Sequence, residues 1–223
     1  MQLATTPRVK ICCTQSVDEA WLAIDAGASA LGFVSAMPSG PGIISDDDIA
    51  AIVGAVPPPI ATFLLTCRRD VDAIVAQQRH TRANTLQLCD DIEVDGLRKL
   101  KAQLPGVSIV QVIHVAGNES IAEAVAQAEH ADALLLDTGD RLAAIKELGG
   151  TGRQHDWSIS REIRDRVSVP VFLAGGLRPE KVAEAIRVVA PFGLDVCSGL
   201  RPEGALDVGL LRDFFRAVRS PAN

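Results

Sequence analysis

The stretch VPVFLAGGLRPEKVAEAIRVVAPFGLDVCSGL, residues 169–200, contains one complete repeat of this chain and the start of the next. Residues 170–173 are apolar and β-prone, Gly175-Gly176 breaks the run, and Pro179 opens an amphipathic segment reaching residue 189. A second apolar run at residues 194–197 then meets another glycine turn, Ser198-Gly199. Strand, glycine loop, helix, strand, glycine loop is the order of a βα unit feeding a parallel sheet.

Working outward from that unit, the same alternation continues to the N-terminus. Strands are expected near residues 9–12, 30–34, 60–65, 85–88, 109–114, 133–137, 170–173 and 194–197. Helices are expected at residues 17–26, 46–56, 71–80, 121–129, 179–189 and 207–219, several opened by Asp, Ser or Pro. Eight strands in series fit a closed barrel better than an open doubly wound sheet, whose first turn would carry a Gly-x-Gly-x-x-Gly run that is absent. The expected fold is therefore α/β, a single (β/α)₈ TIM barrel spanning residues 1–223 as one domain, since such barrels start near roughly 200 residues. Pro57-Pro58-Pro59 reads as a stiff connection, not a domain boundary.

Composition narrows the function. Apolar residues make up 48% of the chain and charged residues 22%, an ordinary globular balance. The net charge is −6 and the longest basic run is Arg68-Arg69, so no nucleic-acid surface is expected. No apolar segment at the N-terminus resembles a signal peptide or membrane span, and a cytoplasmic protein with no membrane partner is expected. The 5 cysteines are odd in number and lack Cys-x-x-Cys spacing, which argues against a disulfide framework.

In a barrel of this kind the chemistry sits on loops that follow the strands. Three consecutive strand ends carry glycine clusters: Gly149-Gly150-Thr151-Gly152, Gly175-Gly176 and Ser198-Gly199. Any one cluster reads better as a turn. Three in succession point to backbone N–H groups gathered on a phosphate, and Gly150, Thr151, Gly152, Gly175, Gly176, Ser198 and Gly199 are its candidate ligands. Cys12 closes the first strand and Asp137 the sixth, placing a thiol and a carboxyl on the same rim as a candidate general base and general acid. Taken singly, each has a plainer reading, a buried small hydrophobe and a cap. Cys12, Cys13, Cys67, Cys89 and Cys197 all fall at strand ends, where thiols can gather a soft metal or simply pack; no metal site is assigned. His114 and His155 read as loop-ordering or solvent-facing residues.

At these residues the sequence resembles the phosphoribosylanthranilate isomerase family. The likeness rests on Val9-Lys10-Ile11-Cys12, the segment at residues 27–34, Leu135-Leu136-Asp137-Thr138, Gly149-Gly150-Thr151-Gly152 with Asp156-Trp157, residues 173–177, and Asp195-Val196-Cys197-Ser198-Gly199. It implies a (β/α)₈ barrel of tryptophan biosynthesis that performs an Amadori rearrangement, opening an aminated ribose phosphate into an aminodeoxyribulose. Cys12 would act as base at C2′ and Asp137 as acid on the ring oxygen, Lys10 and Gln87 would contact substrate, and no cofactor is implied. The partner is a small phosphorylated substrate, and the protein is expected as a monomer or homodimer.

The departures cluster on one side of the rim. Where the family has glycine after the cysteine, Cys13 stands here, and the family's Ser-Pro-Arg becomes Gly40-Pro41-Gly42. That removes the arginine that meets the anthranilate carboxylate, and Arg68 or Arg69 is the expected substitute. The family's Gln-Leu-His-Gly becomes Gln87-Leu88-Cys89-Asp90, and its Phe-Val-Asn after the third strand is also replaced. Two other readings keep the barrel and its phosphate loops: an enzyme for a different phosphorylated aminosugar or metabolite, and a binding barrel without turnover. An intact acid and base pair argues against the second of these.

Overall fold

The computed structural model describes residues 6–139 and 154–219. Strands β1 (Arg8–Ile11), β2 (Ala30–Val34), β3 (Ala61–Thr66), β4 (Thr85–Leu88), β5 (Ser108–His114), β6 (Ala133–Asp137), β7 (Val171–Leu173) and β8 (Gly193–Val196) are all parallel. They pair in chain order, and β8 closes back on β1, giving the closed barrel expected from the alternation. Around it run α1 (Val17–Ala26), α2 (Asp46–Ala55), α3 (Val71–Thr81), α4 (Val94–Gln103), α5 (Glu119–Ala128), α6 (Trp157–Arg166), α7 (Pro179–Val189) and α8 (Val208–Arg219).

Local chemistry starts these helices. Ser16, Ser45 and Asp70 each accept a backbone N–H from the first turn of α1, α2 and α3, and Pro179 takes the first position of α7, where its missing N–H is harmless. Helices α4 and α6 have no counterpart in the sequence expectations. Gly96 lies in the first turn of α4, whose preceding Glu93 makes no side-chain cap bond, so its start carries little signal. The buried face of α6 is Trp157, Ser160 and Ile163, and a serine in the stripe blurs the apolar period.

Side chains on each strand alternate between two layers, as the pleat requires. One set, including Ile11, Leu31, Leu64, Leu86 and Leu134, packs outward against the helices. The other, Ala30, Val34, Phe63, Leu65, Val110, Val112, Ala133, Leu135 and Phe172, fills the barrel interior. Phe172 takes the place of a side chain at Gly193: a Cβ there would lie 2.4 Å from its ring. The parity of two carries upward to the rim, so Lys10 sits one level below Cys12 and Asp195 one level below Cys197.

The seam between the first and last units is held by charge. Arg201, which as a sequence reads as a solvated surface cation, is buried and grips Glu19 of α1 with both guanidinium nitrogens at 2.8 and 3.0 Å. The same carboxylate accepts the N–H groups of Gln15 and Leu206. Burial works against its charge, but Arg201 and the two N–H groups outweigh it and hold the carboxyl below its ordinary value. Glu19→Gln is accordingly expected to destabilise the fold by about 2 kcal/mol at neutral pH. Because the folded pKa is depressed, this contribution is present above the ordinary glutamate value and fades as pH falls through the folded one. Urea unfolding of both proteins at pH 7 and at acid pH should show the gap closing; a constant gap would mean that lost packing, not charge, is being measured.

Candidate active site

The C-terminal mouth of the barrel holds a cavity lined by residues from seven strands and the loops that follow them. Cys12 and Cys13 follow β1, Gln87 lies on β4, Asp137 ends β6, Gly175-Gly176 follows β7, and Asp195, Cys197 and Ser198 belong to β8 and its loop. The β2 and β3 side is Val34, Met37, Pro41 and Leu65 with Ser39 and Gly40.

Cys12 lies just past the end of β1, tied by its N–H to the Val196 carbonyl at 2.9 Å. Below it Lys10 is completely buried and paired with Asp195 at 2.8 Å, its direct partner in the β1/β8 register. A buried cation is tolerable only with such a partner. The closeness of the two functional groups shows at Gly32 on β2: a Cβ there would sit 2.8 Å from the Lys10 ammonium and 2.9 Å from the Cys12 sulfur. Glycine at 32 is what lets the pair approach. The Cys12 thiol is held below its ordinary value by a hydrogen bond from Cys13 and by the Lys10 charge, against burial and the Asp195 carboxylate. Burial alone would neutralise Lys10, yet Asp195 and Cys12 keep it charged and raise it. Lys10 thus stands under the cavity floor, not in the lining, and its ammonium is engaged by Asp195.

Asp137 opens onto the cavity from β6. The Thr138 N–H donates to its Oδ1 at 2.7 Å, and the Thr138 hydroxyl lies 3.1 Å from His155 Nδ1, whose Nε2 is 2.6 Å from the Ser160 hydroxyl. Burial pushes His155 down to about 4, so the ring is a neutral link between two hydroxyls. His114 is likewise buried and bonded to the Cys89 carbonyl at 3.1 Å. Both histidines order loops. Among the described residues no group of three or more His, Cys, Asp or Glu side chains is arranged to hold a metal.

Gly175 and Gly176 both take left-handed backbone, φ +83° and +66°, which glycine alone adopts freely. Their N–H groups make no backbone hydrogen bond among the described residues. A short 3₁₀ turn at Ser198–Leu200 packs against them so tightly that a Cβ on Gly199 would lie 1.9 Å from the Leu177 carbonyl oxygen. The β7 and β8 loops thus form one wall, bringing together Gly175, Gly176, Ser198 and Gly199. Gly150, Thr151 and Gly152 lie outside the described residues.

Gln87 is almost fully buried, faces the cavity and leaves its side-chain carbonyl oxygen without a partner among the described residues. Arg68 and Arg69 are elsewhere. Both are exposed on the climb from β3 to the Asp70 cap of α3, and Arg69 turns away to donate to the Asp91 carbonyl at 3.1 Å. Neither lines the cavity, and no described lining residue is a lysine or arginine. Sequence reasoning had given no site role to Asp195, Met37 or Gly32; for Asp195 the signal was its parity, two residues before Cys197 on an inward-facing strand.

Fold and cavity together define a (β/α)₈ barrel enzyme with its candidate site on the C-terminal rim. A profile of the N-(5'phosphoribosyl)anthranilate (PRA) isomerase family matches residues 9–217. N-(5'-phosphoribosyl)anthranilate isomerase of Methanocella arvoryzae is 38% identical over 213 residues, covering 95% of this chain and 98% of that protein. The enzyme named N-(5'-phosphoribosyl)anthranilate isomerase 2 of Methanosarcina mazei is 40% identical over 195 residues, 87% of this chain and 85% of its own length. Among solved structures, phosphoribosyl anthranilate isomerase from Thermotoga maritima superposes with a TM-score of 0.83 at 28% identity, covering 96% of this chain and 99% of that one. A phosphoribosyl anthranilate isomerase in complex with reduced 1-(o-carboxyphenylamino)-1-deoxyribulose 5-phosphate gives 0.81 at 27%, with the same coverage. The chain belongs to the N-(5'-phosphoribosyl)anthranilate isomerase family.

Proposed function

We propose that this protein catalyses the Amadori rearrangement of N-(5-phosphoribosyl)anthranilate to the carboxyphenylamino-deoxyribulose phosphate in tryptophan biosynthesis, with Cys12 as general base and Asp137 as general acid. The observation that carries this is the shared cavity: a thiol poised toward its thiolate and a carboxyl face one space, whose far wall is two fused glycine loops. Asp137 gives its proton to the ring oxygen as the bond from C1′ to that oxygen breaks, and the anilino nitrogen lone pair forms the iminium. The iminium acidifies the C2′ hydrogen, the Cys12 thiolate removes it, and the electrons left behind form the enolamine. Protonation at C1′ and loss of the enol proton give the ketose. Phosphate on the β7 and β8 loops supplies binding energy remote from these atoms.

Every residue in this reading comes from one chain, so a monomer or a homodimer would serve. We place the enzyme in the cytoplasm as a single barrel domain over residues 1–223, since substrate and product are small phosphorylated metabolites; among the described residues no helix is long and apolar enough to cross a membrane.

The aromatic end is where this chain has its own solution. With Val34, Met37, Pro41 and Leu65 around it and no lining cation among the described residues, the ring is held by apolar contact, and the carboxylate meets Ser39 and backbone. A charge-assisted pair is worth about 1.5–3 kcal/mol, a tenfold to hundredfold effect. Its absence predicts that a substrate analogue lacking the carboxylate raises KM by less than about tenfold, and that Arg68→Ala and Arg69→Ala leave KM unchanged. Fluorescence decay of phosphoribosylanthranilate with purified protein, backed by rescue of a tryptophan auxotroph, tests the whole reading. No turnover at any substrate concentration would overturn it, and a strong KM rise in either arginine variant would return the carboxylate clamp to that loop.

A further inference from the structure

Two thiols face each other across the seam where the barrel closes. Arg8 donates its N–H to the Phe192 carbonyl at 3.0 Å and lies opposite Gly193. Cys12 donates to the Val196 carbonyl at 2.9 Å, so the same parallel ladder places it opposite Cys197. Between these two rungs the facing side chains of Lys10 and Asp195 meet at 2.8 Å. Cys12 is two residues beyond Lys10 and Cys197 two beyond Asp195, and both line the cavity. Cys197 is part-exposed and packs against the buried cluster that contains Cys12. Neighbouring strands lie about 4.8 Å apart, within the Cα separation of about 4.4–6.8 Å that a disulfide spans.

The other described thiols turn elsewhere. Cys13 leaves the strand alternation on left-handed backbone, φ +60°, with its Sγ 3.6 Å from the Pro41 carbonyl oxygen. A Cβ on Gly42 would lie 2.5 Å from the Cys13 Cβ, so that side chain occupies the β2 loop. Joining it to Cys12 would close a small ring through one peptide bond, which peptide planarity opposes. Cys89 is buried with its sulfur 3.8 Å from the Gln87 backbone carbonyl, and the Cys67 sulfur lies 3.4 Å from that of Ala36.

We propose that Cys12 and Cys197 are a redox pair: a hydroperoxide oxidises Cys12, Cys197 resolves it as a disulfide, and the site is switched off reversibly. The Cys12 sulfur and the Lys10 ammonium crowd one point over Gly32, 2.9 and 2.8 Å from where its Cβ would lie, and a cation beside a thiol favours the reactive thiolate. That thiolate attacks one peroxide oxygen, the O–O bond breaks, and the oxygen that leaves takes a proton, as water when the peroxide is hydrogen peroxide; Cys12 becomes a sulfenic acid. A turn about χ1 carries its sulfur from Gly32 on β2 toward β8. The Cys197 sulfur gives up its proton and attacks it, the S–O bond breaks, and the hydroxide released takes that proton to form water. Two thiols have then been oxidised by two electrons and one peroxide reduced. A dithiol reverses the link by exchange.

Peptide mass spectrometry of the purified protein after hydrogen peroxide, with turnover followed alongside, tests this. A Cys12–Cys197 disulfide is expected to form in step with the loss of turnover, and dithiothreitol should undo both. In Cys197→Ser, excess peroxide should carry Cys12 on to the sulfinic acid, so that dithiothreitol returns less than about a tenth of the starting turnover. Cys13→Gly should form the Cys12–Cys197 link as the parent does. A parent in which Cys12 ends only as sulfinic acid, or in which Cys13 is joined to either thiol in place of that link, would overturn the proposal. The loss of turnover rests on Cys12 being the base: a complete Cys12–Cys197 link with turnover intact would sink that assignment and leave the redox pair standing.

Discussion

Asp137→Asn is expected to lower kcat by about 10²- to 10⁴-fold, the usual effect of removing a positioned general acid. The substitution is nearly isosteric, and asparagine keeps an oxygen to accept the Thr138 N–H that now meets Asp137 Oδ1 at 2.7 Å. The link from Thr138 through His155 to Ser160 is untouched, so the loop stems stay in place. What disappears is the proton that, in the proposed mechanism, goes to the ring oxygen. Because that proton moves only in the transition state, KM should change far less than kcat. A kcat within tenfold of the parent would assign the acid to another group.

Cys12→Ser should be as severe. Serine fits the volume, but its hydroxyl cannot ionise in the range where the Lys10 charge and the Cys13 hydrogen bond bring the thiol down. The loss is expected at about 10³-fold or more in kcat, with product affinity nearly unchanged because the β7 and β8 loops proposed to hold the phosphate lie on other strands. The two losses should not multiply. Acid and base act in one sequence of proton transfers, so the double variant should sit near the worse single one. Full multiplicativity in the fluorescence assay would mean that the two groups serve independent steps.

The barrel was legible because its signal is repeated. Alternating apolar runs and capped amphipathic segments identify all eight strands, and the errors fall where capping or periodicity is locally weak, as at Gly96 in α4 and Ser160 in α6. Cys12 and Asp137 were legible as strand ends. The Lys10 placement was only half legible: parity puts it on the same face as Cys12, but that it is wholly enclosed depends on Asp195 lying opposite in register and on Gly32 leaving room, facts of three strands at once. That Arg68 and Arg69 lie outside the described cavity lining was hidden from the sequence for a related reason. Nearness in sequence to a strand end says nothing of whether the chain is already turning outward to a helix cap, and here Asp70 starts α3 immediately afterwards.

Residues 13 and 42 also constrain the order in which this rim can change. A Cβ at 42 collides with the Cys13 side chain at 2.5 Å, and residue 42 is itself at φ +76°. A guanidinium at 42 is therefore inaccessible by one step from this sequence, whatever advantage it would bring. Position 13 must first lose its side chain, and only then can 42 acquire one. A library that varies 42 alone should return glycine almost exclusively, whereas a library that varies both should yield long side chains at 42 mainly alongside glycine at 13. The two positions behave as a lock with a fixed sequence of turns, and the path between the two ways of holding an aromatic acid runs through a state that has neither side chain.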